Sequence, residues 1–326
     1  MLEQTSVVGI AAVGATLIIV AGGIDLSVGS TIALGTVVGA LCLRGGAPPW
    51  AAALGAIATG LAVGAVIGGV VVGRWARIAA PALGAAIGVW TAAHASVGVA
   101  LGAGVASTLV LLVVGERLAP RIAISPFITT LGLWGALRGL AKGLGDNQPV
   151  YPSSTGWLGE LMRPSENGLG AVVAPGVWIL AGVALVVALV MRSTRFGRNV
   201  FAIGSNEETA RLCGVRVERT KFALYVVAVG CAGLAAVLQL AYLSMGDPTT
   251  AEGYELKVIA ACVIGGASLA GGQGSVVGTL IGALIMTVVD NGCTTLGLDN
   301  GVQEIATGAI IVAAVALDRW RARSQS

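Results

Sequence analysis

The residues able to do chemistry are few, and their spacing excludes more than it offers. Five cysteines (Cys42, Cys213, Cys231, Cys262 and Cys293) are widely scattered with no CxxC pair, and His94 is the single histidine. That is too little for a metal centre, and most of the thiols sit in apolar runs where cysteine acts as a small hydrophobe. The run GGASLAGGQGS at 265–275 could offer backbone amides to a phosphate. No GK[ST] follows it, so it reads as a tight turn with close helix approach, not a nucleotide cradle. Asp25 is the sharpest position, because it follows a long apolar run in AGGIDLSVGS. A carboxylate at such depth is costly unless it finds a partner or water. Two compatible readings follow. Asp25 caps the helix that restarts after Gly22-Gly23, or a broken helix lines a path through the molecule. A proton relay would need further acids at depth, and only Asp290 is comparable.

A second constellation lies in TRFGRNVFAIGSNEETARLCGVRVERTKF, 194–222. Ser205 or Asn206 can cap a helix whose first turn holds Glu207 and Glu208, at the positive end of its dipole. Arg211 falls four residues after Glu207, on the same face. Gly214 stops the helix after about two turns. The spacing predicts a short surface helix with Leu212 free to pack on a partner. A third segment, Gly246-Asp247-Pro248 through Glu255, reads as a short capped helix with Pro248 in its first turn.

The elements that position these residues follow from composition. Apolar residues make up 56% of the 326 and charged residues only 11%, against roughly 25% charged in soluble proteins. Such a chain cannot cover a water-facing surface, and its apolar wealth with a net charge of +3 excludes disorder. Aromatics at 5%, with no basic stripe among them, exclude a nucleic-acid grip. Residues 1–6 hold no Lys or Arg, so a cleavable signal peptide is not supported. The fold class is all-α, a polytopic helical bundle in the lipid bilayer.

Apolar runs near 7–23, 28–43, 50–73, 79–94, 97–114 and 125–141 are candidate crossings, followed by 176–191, 222–243, 257–270, 275–290 and 303–317. That makes about 10–11 crossings, several short enough to be broken or re-entrant. With the 192–221 loop in the cytoplasm, Lys and Arg divide 14 inside against 5 outside (Arg44, Arg138, Lys142, Arg163 and Lys257). The C-terminus is then cytoplasmic and Met1 external, which implies a translocated N-terminus or a helix expected ahead of Met1. Glycines at 60/64/68, 69/73, 84/88, 98/102 and 278/282 predict close helix packing, or a dimer seam. The outer stretch 142–175 reads as an ordered loop, either a connector or a docking surface. VVVGRWARIAAP (70–81) and LVVGERLAPRIAISP (112–126) suggest a duplicated hairpin or a chance likeness.

Several stretches together resemble the membrane permease subunit of ribose-type sugar ABC importers, the group related to branched-chain amino-acid permeases. They are QTSVVGIAAVGATLIIVAGGIDLSVGS (4–30), SPFITTLGLWGALRGL (125–140), TRFGRNVFAIGSNEETARLCGV (194–215) and GYELKVIAACVIGGASLAGGQGSVVGTLIGALIMTVVDNG (253–292). Only about 74–121 stands outside the likeness, as a possible inserted hairpin in a single permease domain spanning 1–326. The resemblance implies a homodimeric or pseudo-dimeric permease in a bacterial-type cytoplasmic membrane, with an external solute-binding protein. ATP-Mg would be held by a partner ATPase, and no cofactor or catalysis is expected in this chain. Gly204, Asn206, Glu207, Ala210, Arg211, Leu212 and Gly214 would form the coupling helix that enters a groove of that ATPase. Asp25, Ser27, Phe127 and Thr130 are candidate path-lining positions. The expected cargo is a small polar solute, foremost a monosaccharide; branched-chain amino acids or nucleosides are the alternatives. A self-sufficient secondary transporter or channel, and a non-transporting scaffold, are the rival classes.

Overall fold

The computed structural model describes residues 1–73, 124–164 and 173–324. Helix α1 (Leu2–Val20) is apolar on every side, and a helix of that kind belongs in the middle of a bundle. Every residue from Thr5 to Val20 is buried. Helices α5 (Pro175–Ser193), α8 (Val217–Leu243), α9 (Tyr254–Ile264) and α10 (Val276–Thr295) all pack against it. Helices α2 (Val28–Arg44) and α3 (Pro49–Val71) complete the bundle on the far side of α8, and α4 (Pro126–Leu144) lies against α2. Two short helices follow α5: α6 (Arg195–Ser205) and α7 (Glu207–Leu212). Helix α11 (Asn300–Ser324) ends the described chain, against α9. No strand occurs among the described residues; one isolated bridge joins Val150 to Gly246.

Five of these helices (α1, α3, α5, α8 and α10) are long and apolar enough to cross a membrane, while α2 and residues 301–313 are shorter. The run read as a crossing at 257–270 is a correction. Helix α9 has 11 residues, about 16 Å at 1.5 Å per residue, half the hydrocarbon thickness. Gly265 and Gly266 stop it and the glycine-rich turn turns the chain back into α10. The hairpin at 74–121, the spans at 79–94 and 97–114, His94 and most of the two related segments lie outside the described residues.

Glycine decides how closely the helices approach. A Cβ on Gly60 would stand 2.6 Å from the Val229 carbonyl oxygen, and one on Gly64 would stand 2.6 Å from that of Tyr225. The 60/64/68 stripe is therefore consumed by the α3–α8 contact inside one chain. Gly278 and Gly282 of α10 do the same against the backbone of Gly265 and Ala261. Lipid tails are as apolar as the helix faces, so this packing and a few interhelical hydrogen bonds must hold the bundle. One such bond joins the Thr16 and Thr279 hydroxyls at 2.7 Å, with the Cys262 thiol beside them.

The two ends of the bundle are defined by contacts. Val20, Gly204 and Gly272 meet at one end, where the Gly272 N–H donates to the Val20 carbonyl at 2.8 Å. Gln4, Tyr242 and Asn291 are hydrogen-bonded at the other. The last turn of α1 thus shares its end with α6 and α7, the arrangement the Lys/Arg count requires.

Candidate functional site

Helix α7 is built by local chemistry. The Asn206 side chain accepts from the Thr209 N–H at 2.8 Å, closing the helix start. Gly214, at φ +82°, sends its N–H to the Arg211 carbonyl while Val215 donates to Ala210, which stops the helix. Ala210 is buried and packs with Ile203, Val215 and Val217. That apolar contact helps seat α7 on its base, with Leu212, 89% exposed, pointing away from the protein. Glu207 receives Arg211 at 3.3 Å and Lys221 of α8 at 2.5 Å. Partial burial works to raise its pKa, but the hydrogen bonds and charges of Lys221 and Arg211 outweigh that and hold the carboxyl below its usual value.

Gly204 carries the mechanical connection. A Cβ there would overlap the Val20 carbonyl and approach the Gly272 amide to 2.6 Å. The end of α6, from which α7 starts after Asn206, therefore rests on the end of α1 and on the glycine-rich turn at once. Beside it, a groove of about 470 Å³ is lined by Phe196, Asn199, Cys213, Arg216, Arg219 and Thr220. Cys213 is exposed, unlike the buried Cys231 and Cys262, so the small-hydrophobe reading does not extend to it.

A second constellation surrounds the break between α1 and α2. Helix α1 ends at Val20, Gly22 adopts φ +78°, and an extended stretch leads to α2. Asp25 is not the cap of α2; Ser27 holds that position. The Asp25 Oδ1 instead accepts from the Ser27 N–H (2.8 Å) and hydroxyl (2.6 Å), a tight local turn that precedes the helix. Thr130 of α4 reaches the same stretch, its hydroxyl 3.4 Å from the Ile24 carbonyl. Asp25, Ser27 and Thr130 are buried together, whereas Phe127 is 47% exposed on α4 and does not join them.

Residues the sequence reading passed over complete this region. The segment 246–253 is a series of turns, not a short helix. Asp247 accepts from both the N–H and the hydroxyl of Thr249, and Arg138 of α4 donates through Nη1 to the carbonyls of Pro248 (3.0 Å) and Thr250 (2.6 Å). Those carbonyls accept from a side chain of α4 where a helix would offer them its own amides. Ala251, at φ 54°, presses its carbonyl against Gly29 in the first turn of α2, and the Glu255 carboxylate lies against the same glycine. The hydroxyl of Thr250 also takes a bond from Gln239 of α8 at 2.8 Å. Helix α6 was missed as well, although Phe196, Val200 and Ile203 recur at helical spacing behind a Thr194 cap. Lys257 and Asp290 pair at 2.7 Å between α9 and α10, which removes Asp290 as an isolated acid.

The bundle and its buried polar junction define a polytopic helical membrane protein. The chain belongs to the family described as branched-chain amino acid transport system / permease component, which it matches over residues 1–73 and 76–315. It is 38% identical to the ribose import permease protein RbsC of Escherichia coli (strain K12), over 98% of this chain and 84% of that one. Against the ribose import permease protein RbsC of Bacillus subtilis (strain 168) it is 33% identical, over 98% and 83%. Against the L-arabinose transport system permease protein AraH of Escherichia coli (strain K12) it is 35% identical, over 63% and 61%. No solved structure matches.

Proposed function

We propose that this chain, acting as one domain over 1–326, is the permease subunit of an ABC importer that moves a small polar solute, foremost a monosaccharide such as ribose. Two copies, or one copy and a homologue, form the path. A separate ATPase supplies the ATP hydrolysis and an external binding protein delivers the solute. The protein resides in a bacterial-type cytoplasmic membrane, with α6, α7 and the C-terminus on the cytoplasmic side.

The observation that carries this reading is the seat of α7. A capped and stopped two-turn helix presents Leu212 outward, while Gly204 at its foot rests on α1 and the 265–275 turn. A partner that grips α7 thereby grips the break at 21–27. Closure of an ATPase pair would move both copies of α7 and bias the bundle between outward- and inward-open states. For this, the ATPase must bind the two states with different affinity. The length-wide likeness to ribose permeases supports the cargo class.

The test is affinity purification of the tagged chain from its native membrane, as wild type and as the double variant Glu207→Lys/Arg211→Glu. Recovery of an ATPase subunit with wild type, lost in a variant that still runs as a folded species, is the expected result. Equal recovery with both would remove α7 as the docking element. Recovery of no ATPase with a well-folded wild type would favour the self-sufficient transporter.

A further inference from the structure

The groove beside α7 carries a charge pattern that the seat of α7 does not use. It lies between the start of α6 and the first turns of α8, under the 213–216 turn. Arg216 and Arg219 line it together with Asn199 and Thr220, and among the described residues no carboxylate does. Glu218 stands between the two arginines in the chain but does not line the groove. Neither guanidinium forms a salt bridge with a described residue, whereas Arg211 and Lys221 are both committed to Glu207. Arg195 and Arg198, both exposed, are the chain neighbours of the lining residues Phe196 and Asn199 and add positive charge on α6.

One face of α8 leads from this groove towards the hydrocarbon. Arg216, Arg219, Ala223 and Val227 follow one another at intervals of three and four, so they share that face. Arg216 immediately precedes α8 and Arg219 lies in its first turn. Further along, on a helix long and apolar enough to cross a membrane, Val227 is 46% exposed. Ala223 and Phe196 give the groove its apolar side. Cations at the water end and an apolar strip running on from them match a molecule with an anionic head and a hydrocarbon tail. A soluble anion would use the arginines and leave the strip idle.

We propose that this groove holds the headgroup of an anionic phospholipid. Arg216 and Arg219 take its phosphate, Asn199 donates beside them through its amide, and an acyl chain runs along Ala223 and Val227. The volume of about 470 Å³ is within the range of small-molecule sites. The proposal goes beyond the permease reading and does not depend on the cargo; it requires only that α8 crosses the bilayer. A headgroup held there bridges α6 and α8, the two helices on which α7 is seated, and ties that seat to the membrane surface.

Native mass spectrometry of the full chain, released from nanodiscs of phosphatidylglycerol and phosphatidylcholine in equal parts, reads which lipid stays bound. Wild type is expected to retain phosphatidylglycerol in preference. Arg216→Gln/Arg219→Gln should weaken that preference at least about tenfold, the loss expected when two arginines leave an anionic membrane surface. The pair Arg44→Gln/Arg163→Gln removes the same charge from two exposed positions outside the groove and should keep the preference. The comparison of lipids in wild type needs no variant, so a variant that fails to fold leaves the test intact. Equal retention of both lipids by wild type, or an equal loss in the second pair, overturns the site. Displacement of the lipid by soluble glycerol phosphate at comparable concentration would show a phosphate site with no use for the acyl chain, and overturns the lipid as occupant. Loss of ATPase recovery in Arg216→Gln/Arg219→Gln with phosphatidylglycerol retention unchanged would give the groove to the ATPase, and overturns the proposal too.

Discussion

The α3–α8 seam and the foot of α7 are both made by glycine, and they do opposite things. Along the seam, Gly60, Gly64 and Gly68 meet the backbone of α8 at successive turns. The contact is spread over several turns, so it holds two helices rigidly together. At the foot, Gly204 near the end of α6 touches the backbone of Val20, Gly271 and Gly272 within one turn, and the next helix, α7, is a short segment seated through Ala210 and the Glu207–Lys221 pair. A distributed contact resists motion, whereas a point contact between three elements passes motion on. Substitutions at the seam should therefore destroy the bundle, and those at the foot should spare it while separating α7 from the path.

Gly60→Leu carries the largest expected effect. Its side chain meets the Val229 carbonyl and the Gly233 backbone, neither of which can turn aside. Overpacking typically costs about 1–3 kcal/mol, and more where rigid backbone is struck; loss of monodisperse protein in size-exclusion chromatography checks it. Gly204→Val ranks next. The variant should purify as a folded bundle that retains ATPase, with solute-stimulated ATP hydrolysis lost. A collapse as complete as that of Gly60→Leu would erase the distinction between the two regions.

Leu212→Asp should leave thermal stability within about 0.5 kcal/mol of wild type, as expected for an exposed position. It should nonetheless reduce ATPase recovery severalfold, measured by pull-down. The smallest effect concerns pH. Glu207 has a depressed pKa in the folded chain, so the stability it lends to α7 is present above the ordinary carboxylate value and is lost as pH falls through the depressed one. Recovery of the ATPase should stay flat from pH 8 to about 5. A loss near neutral pH would show that another group anchors α7.

These regions also differ in how much of them could be read from the sequence. Helix α7 was legible because its determinants are local. Asn206, Glu207, Arg211 and Gly214 lie within nine positions, and each acts on a neighbour along the same helix. The glycine stripes predicted close packing, but the sequence could not say whether the partner was α8 or a second copy. The junction at α2 was legible only at Asp25, whose depth is apparent from the apolar run before it. Its remaining parts are long-range. Arg138 meets Pro248 and Thr250 across 110 and 112 positions, and that contact turns a segment favourable for a short helix into a series of turns. Nothing near Glu255 in the chain announces that its carboxylate will lie against Gly29. Helix α6 is the exception, a local signal masked by its charged surroundings.

The most direct test of the account is uptake of labelled D-ribose by vesicles that contain this chain with the proposed partner ATPase and external binding protein. Accumulation that requires ATP inside the ATPase-facing compartment, and that Gly204→Val abolishes without loss of assembly, is the predicted result. Uptake that proceeds equally without ATP or without the ATPase would contradict it.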